Sequence, residues 1–396
     1  MALNHATVYI TGRCNLACSY CFSRFEDWPK EDATPETLRA TVDWLISESG
    51  DQQQLHLGFF GGEPLLRPDL IELCCEYAAA RGKETGKKIS CGVTTNLTPL
   101  TDEVLQMLKK HNVSLLASID GLPHKGNQRF WADRPGVSSA TDALSKLLAA
   151  QRHGLSCQIR WTVAPDALNH LGEDCVTLAT LGFRGLAVEF VYEAEWTSEH
   201  LAQLEQELRY IGDYLIAEYR DGRKLHVKPL HDAFGLYKLE QRQKLRCGLG
   251  YFGVGVATDG TIQPCHRFVC RADAKDWAMG SVQEGLNIEK RDALVAKWDI
   301  DKVTVDDGRL CKDCPVKLRC PGGICPPSHL DVTGKFDCVQ HTYCDIQLVG
   351  QQVANDVLGV LYGERNPLIM QDLGQGSGCQ GCDQPQAKSQ SPTPTK

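Results

Sequence analysis

From residue 6 to about residue 191, short runs rich in β-branched and aromatic residues alternate with amphipathic stretches. The runs ATVYIT (6–11), QLHLGFF (54–60), KISCGVT (88–94), VSLLASI (113–119), SCQIRWTV (156–163) and LAVEFVY (186–192) predict six strands. Between them, segments such as PETLRATVDWLISES, TDEVLQMLKK and ATDALSKLLAAQRHG carry apolar residues at helical spacing. Strands separated by helices pair in parallel through right-handed crossovers. The predicted class is therefore α/β, and six strand–helix units predict a partial (β/α)6 TIM-like barrel over residues 1–197. A long helix and a bridge are expected over 198–246. A cysteine- and glycine-rich domain with its following helix is expected over 247–362, and a Gly, Gln, Ser and Pro rich disordered tail over 363–396.

Charge and composition narrow the function. With 42 Lys and Arg against 50 Asp and Glu, the net charge is -8 and no dense basic tract stands out, which argues against a nucleic-acid partner. No run of about 18 apolar residues predicts a membrane span. The start MALNHATVYITG lacks a secretion-signal pattern, so a cytoplasmic location is expected. In that reducing compartment 19 cysteines are better explained by metal ligation than by disulfides. Their spread is uneven: three fall within 14–21 and nine within 247–344.

In GRCNLACSYCF, Cys14, Cys18 and Cys21 form C-x3-C-x2-C on the loop after the first strand. Three thiolates hold three corners of a cubane iron–sulfur cluster and leave one iron open. The alternative is a zinc loop lacking its fourth ligand. GGEP follows the second strand, while TTN and SIDG end the third and fourth. Those are the carboxyl ends of the strands, where parallel barrels carry their chemistry.

Over about residues 6–191 the chain resembles the radical S-adenosylmethionine superfamily, on Cys14, Cys18, Cys21 and the following aromatic Phe22. The resemblance implies that the open iron chelates the amino and carboxylate groups of S-adenosylmethionine. One electron then cleaves the sulfonium, and a 5'-deoxyadenosyl radical takes hydrogen from the substrate. Gly61, Gly62 and Glu63 match the family's GGE motif, whose backbone and carboxylate meet the methionine ammonium. Asn96, in TTNLT where the family usually has TNG, resembles a strand-end cofactor contact, as do Ser118 and Asp120 in SIDG. Arg160 in QIRWTV lies where the family often places a polar residue on the fifth strand. Its guanidinium needs an anionic partner, which the cofactor carboxylate would supply; the alternative is a snorkelling edge-strand arginine.

Residues 247–344 resemble the SPASM domain, an extension that binds one or two auxiliary [4Fe-4S] clusters. The motifs are C-x12-G-x4-C (Cys247, Gly260, Cys265), C-x2-C-x5-C (Cys311, Cys314, Cys320), then Cys325 and Cys344. Four residues, PGGI, separate Cys320 from Cys325 where the family pattern has three. Carried over by motif, Cys247, Cys265 and Cys325 would hold the first auxiliary cluster, with Cys270 or Cys338 as its fourth ligand or an open iron instead. Cys311, Cys314, Cys320 and Cys344 would hold the second. Zinc is the alternative occupant of these thiolates. Cys74, Cys75, Cys91, Cys157 and Cys175 fall in helix or strand patterns and read as small hydrophobes. Cys379 and Cys382 form a C-x2-C in the tail that either caps an open iron or does nothing.

Enzymes with this extension act mostly on peptides and proteins. The resemblance therefore implies a maturase that crosslinks a ribosomally made peptide through a C–C, C–O or C–S bond. It would take electrons from a flavodoxin or ferredoxin. The alternatives are an anaerobic sulfatase-maturing enzyme that generates formylglycine, a small-molecule oxidoreductase of the same kind, or an electron-transfer scaffold without radical chemistry. The sulfatase-maturing group carries Asp directly after the G-x4-C cysteine. Here that position is His266, in QPCHRFVC, which either serves as a base or orders the cluster loop.

Overall fold

The computed structural model describes residues 3–23, 30–124, 127–235, 248–298, 301–317, 320 and 325–375. Six strands form where the hydrophobic pattern places them: β1 His5–Thr11, β2 Gln54–Gly61, β3 Lys88–Thr95, β4 Ser114–Ser118, β5 Cys157–Val163 and β6 Gly185–Phe190. They lie side by side in chain order, and every neighbouring pair is parallel. The crossovers carry the helices α1 Pro35–Glu48, α2 Pro68–Thr85, α3 Asp102–Lys110, α4 Ala140–Arg152 and α5 Leu171–Thr180. This is the partial parallel barrel that the six strand–helix units predict, with a cysteine-rich region after it.

Alternation along β1 divides its residues between two faces. Ala6, Val8 and Ile10 join the main core with Leu57 and Phe59 of β2 and Leu38, Val42 and Leu45 of α1. Tyr9 instead belongs to a small separate cluster with Val269 and Cys270, against which Phe22 and Phe60 pack. Each large core side chain buried this fully stabilises the fold by about 1.5–3 kcal/mol.

Three further strands lengthen the sheet at its two edges. After the long helix α6 (Ser198–Arg220), β7 His226–Lys228 pairs in parallel with β6. Beyond the short helix α7 (Leu230–Gly235), β8 Gly253–Val256 pairs in parallel with β1, and β9 Ile262–Gln263 turns back antiparallel on β8. The cysteine-rich region is thus hydrogen-bonded directly onto the strand that precedes the Cys14 loop.

The rest is built of short pieces: α8 His266–Val269, α9 Ala274–Trp277, the pair β10 Gly280–Ser281 and β11 Gly285–Leu286, and α10 Ile288–Lys297. Then β12 Thr304–Val305 pairs with β13 Cys338–Val339, on either side of α11 Pro326–Thr333. The chain returns to the barrel through α12 His341–Gly363 and α13 Pro367–Gln375. Helix α12 packs on α6 closely enough that a Cβ on Gly212 would stand 2.7 Å from Val357 Cγ2. Among the described residues no helix is long and apolar enough to cross a membrane.

Candidate functional site

The Cys14 loop leaves the carboxyl end of β1 and is pinned at both sides. Asp32 accepts from Thr11 Oγ1 at 2.6 Å and pairs with Arg13 at 2.7 Å, and it also contacts Arg67. On the other side the end of β2 clasps the loop backbone, with Gly62 N donating to Thr11 O at 2.9 Å and Glu63 N to Arg13 O at 2.8 Å. The glycine pair is required by this approach. A Cβ on Gly61 would lie 2.2 Å from Thr11 O, and one on Gly62 would lie 2.2 Å from Arg13 O.

The loop carries all three thiols, Cys14, Cys18 and Cys21. Burial, then Glu63 and the Cys18 and Cys21 thiols, push Cys14 up to about 12. A thiol so perturbed stays protonated near neutral pH, and a bound metal would displace that proton.

Glu63 is buried, and its carboxylate is occupied by its own chain. Oε1 accepts from Thr95 Oγ1 at 2.7 Å and Leu65 N at 2.9 Å, and Oε2 accepts from Asn96 N at 2.7 Å. Burial pushes the acid up to about 7 against those three hydrogen bonds, which favour its ionised form. Asn96 Nδ2 is 3.0 Å from Asn15 Oδ1 and 3.9 Å from Cys14 Sγ, so the end of β3 reaches the cysteine loop. Leu97, where the family motif has glycine, takes a φ of 70° and is fully buried.

Ser118 ends β4, and Asp120 follows two residues on. Asp120 is enclosed by two residues that no sequence motif had singled out. Tyr20 Oη lies 2.7 and 2.9 Å from its two oxygens, and Arg129 Nε lies 3.0 Å from Oδ1. Arg129 Nη1 also lies 3.9 Å from Cys18 Sγ, which ties this buried ion pair to the cysteine loop. On β5, Arg160 has its anionic partner within the protein. Nη1 is 2.9 Å from Glu189 Oε1 of β6, and Glu189 also pairs with Lys228 of β7. Glu189 and Lys228 border a cavity of about 40 Å³ that Tyr192, Cys325 and Tyr343 also line.

In the cysteine-rich region, burial and then the thiols of Cys311 and Cys320 push Cys344 up, which brings together positions 33 residues apart in the chain. Cys314 follows Cys311 through a single helical turn. Cys265 and Cys325 precede the first turns of α8 and α11. Cys270 faces the barrel: its sulfur is 2.9 Å from Tyr9 Oη and 3.1 Å from Ser23 Oγ. Cys338 is buried on β13. Cys247, Cys379, Cys382 and the PGGI segment lie outside the described residues.

His266 opens α8 with its ring 5.0 Å from Phe60 and 6.0 Å from Phe22, and its carbonyl accepts from Tyr9 Oη at 2.8 Å. Burial, with Arg267, Arg160 and His5 adding, pulls the imidazole down to about 3, so it is neutral at physiological pH.

Residues 8–166 match the radical SAM superfamily. The chain carries a radical SAM domain. Over 332 residues it is 22% identical to AlbA, the antilisterial bacteriocin subtilosin biosynthesis protein of Bacillus subtilis strain 168, a span of 80% of this chain and 66% of AlbA. The chain thus spans just under two thirds of that relative. Over 336 residues it is 23% identical to the serine-type anaerobic sulfatase-maturating enzyme of Klebsiella pneumoniae, a span of 81% of this chain and 80% of that one. Among solved structures, native anSMEcpe with bound AdoMet superposes with a TM-score of 0.74 at 17% identity, covering 91% of this chain and 100% of the other. At that identity the likeness establishes the fold. The matched residues end just after β5, and the sheet continues beyond them through β6 and β7 on one side and β8 and β9 on the other.

Proposed function

We propose that the protein is a radical SAM maturase. It would abstract hydrogen from a peptide or protein side chain and form a C–C, C–O or C–S crosslink in a ribosomally made peptide. One observation carries the reading: three thiols share the loop after β1, and a glycine pair that tolerates no Cβ holds the GGE segment against that loop's backbone. This donor set fits a cubane cluster with an open iron, because the loop offers three thiolates and its neighbours Glu63, Asn96 and Asp120 are already engaged within the protein.

When bound, the cluster and S-adenosylmethionine supply a 5'-deoxyadenosyl radical, with the electron coming from a flavodoxin or ferredoxin. The chain's part is to position. Glu63, fixed by three donors, sets the floor on which a methionine ammonium would rest. Asn96, Ser118 and Asp120 border the same space at the ends of β3 and β4. Arg160 serves either a cofactor carboxylate or, through Glu189, the substrate wall. The neutral His266, packed against Phe22 and Phe60, would serve as a weakly basic proton acceptor. For the auxiliary sites we assign Cys247, Cys265 and Cys325 to one cluster and Cys311, Cys314, Cys320 and Cys344 to the other. The thiol of Cys270 is directed at Tyr9 and Ser23, which favours Cys338 or an open iron for the remaining position.

A sulfatase-maturing role is the second reading, favoured by the 81% span of the chain similar to the Klebsiella enzyme. His266 in the Asp position weighs against it. The deciding experiment reconstitutes the chain anaerobically, reduces it with dithionite and supplies S-adenosylmethionine. We expect about eight to twelve irons per chain and release of 5'-deoxyadenosine. No 5'-deoxyadenosine would refute the enzyme, and stoichiometric zinc would restore a structural metal domain. With a precursor peptide, loss of two hydrogens without reactivity toward a hydrazide marks a crosslink. A hydrazide-reactive aldehyde on a sulfatase peptide marks the second reading.

A further inference from the structure

Beside the Cys325 thiol stands a cation whose contacts reach three separate parts of the chain. Arg267 lies two positions after Cys265, on α8, and its side chain is 17% exposed. Its Nη1 donates toward Cys325 Sγ at 3.5 Å, and its Nη2 lies 2.7 Å from Glu193 Oε1 and 3.7 Å from Asp331 Oδ2. The guanidinium carbon sits 4.9 Å from the centre of the Phe22 ring, on the residue after Cys21. Glu193 is held in turn by Ser328 Oγ at 2.8 Å, three residues beyond Cys325. One side chain thus spans the loop of the first cysteine triad, the segment of Cys265 and the start of α11.

We propose that Arg267 is a positioning residue that raises the reduction potential of the auxiliary cluster held by Cys265 and Cys325, while its stacking on Phe22 fixes that cluster against the Cys14–Cys21 loop. This rests on the iron–sulfur assignment above. The physics is direct: reduction adds negative charge to the cluster, and both an N–H donated to a ligand sulfur and a nearby cation favour the more negative state. Lysine cannot replace it fully, because the planar fork reaches sulfur and carboxylate at once while its face stacks on the ring. The bland alternative is a clamp, in which Arg267 only anchors Glu193.

The test is an EPR-monitored redox titration of the reconstituted full chain carrying Cys14→Ala, Cys18→Ala and Cys21→Ala, so that only auxiliary signals remain. In that background Arg267→Gln is expected to move one couple negative by at least tenfold in its reduction equilibrium, which is about 59 mV for one electron. The other couple serves as an internal reference and stays in place. Glu193→Gln, which removes a negative neighbour and leaves the cation, is expected to move the same couple positive. Retained iron with no couple moved, or both variants moving it in one direction, overturns the proposal in favour of the clamp. If Arg267→Gln loses iron, Arg267→Lys decides: retained iron with a smaller negative shift supports the proposal, and loss again assigns the residue to folding and overturns it. A parent chain with about four irons and no auxiliary signal overturns the cluster assignment itself, and the proposal with it.

Discussion

A methyl group is the smallest probe of the junction between β2 and the cysteine loop. On Gly62 it would meet Arg13 O at 2.2 Å, where backbone on both sides has nowhere to yield. Overpacking of this kind costs about 1–3 kcal/mol and is paid locally, by displacing the loop. Gly62→Ala is therefore expected to fold yet lose at least about tenfold in S-adenosylmethionine cleavage, with a matching loss of the first-loop iron measured by EPR. Unchanged cleavage would mean that GGE does not shape the loop. Leu97 shows the opposite economy. A left-handed backbone costs a side chain about 1–2 kcal/mol, but truncating a fully buried leucine costs about 2–5 kcal/mol, so packing outweighs the strain that glycine would remove. The departure from TNG in the sequence is thus a local substitution of one stabilising term for another. Tyr20, Arg129 and Arg267 were not legible beforehand. Each owes its place to a tertiary contact, and neither helical nor strand periodicity marks a loop arginine as a partner of Asp120 or a donor to sulfur.

At the scale of elements, the six long strands and their helices were readable because each carries a continuous apolar face. The added strands were not. β7 has three residues, and β8 reads GVGV, where two glycines remove the side chains that would announce a strand. Gly255 is needed because a Cβ there would stand 2.6 Å from Cys265 O, where the chain doubles back over its own strand. The short helix α7 carries a pH response of its own. His231 Nδ1 lies 3.1 Å from Val227 N and 3.3 Å from Val227 O, while Nε2 lies 2.9 Å from Tyr219 Oη. Burial, with His226 adding, pulls its imidazole down to about 3. The unfolded chain then takes up a proton below about pH 6.5 that the folded chain refuses, so stability falls as pH drops from there toward 3. His231→Gln is expected to recover about 1–2 kcal/mol of that loss at pH 5, read from urea midpoints at pH 7 and 5. An equal fall in variant and parent would remove His231 from the account.

For the whole molecule, the nine-stranded sheet places both cysteine systems on neighbouring strands: β1 leads into Cys14, and β8 with β9 leads into Cys265. Sequence reading divided the chain into a barrel followed by a cysteine-rich domain. The pairing of β1 with β8 joins residues about 250 positions apart, and such long-range contacts leave no local pattern to detect. A chain ending at residue 235 is accordingly expected to associate through the uncovered edge of β1, seen as multimers by light scattering. A monodisperse, folded product would show that β8 is dispensable.

That pairing also decides what can be grafted. A cysteine-rich region borrowed from a related protein will seat here only if its first strand presents small residues at the positions of Gly253 and Gly255. The former faces His5 at 3.3 Å from where a Cβ would be, and the latter lies under Cys265. A one-residue slip in the graft would turn Val254 and Val256 out of the core and carry the attached thiols to the wrong side of the sheet. The exchangeable unit is therefore the interlocked pair β1 and β8 with both of their loops, and chimeras cut between residues 198 and 247 separate the two halves of one part.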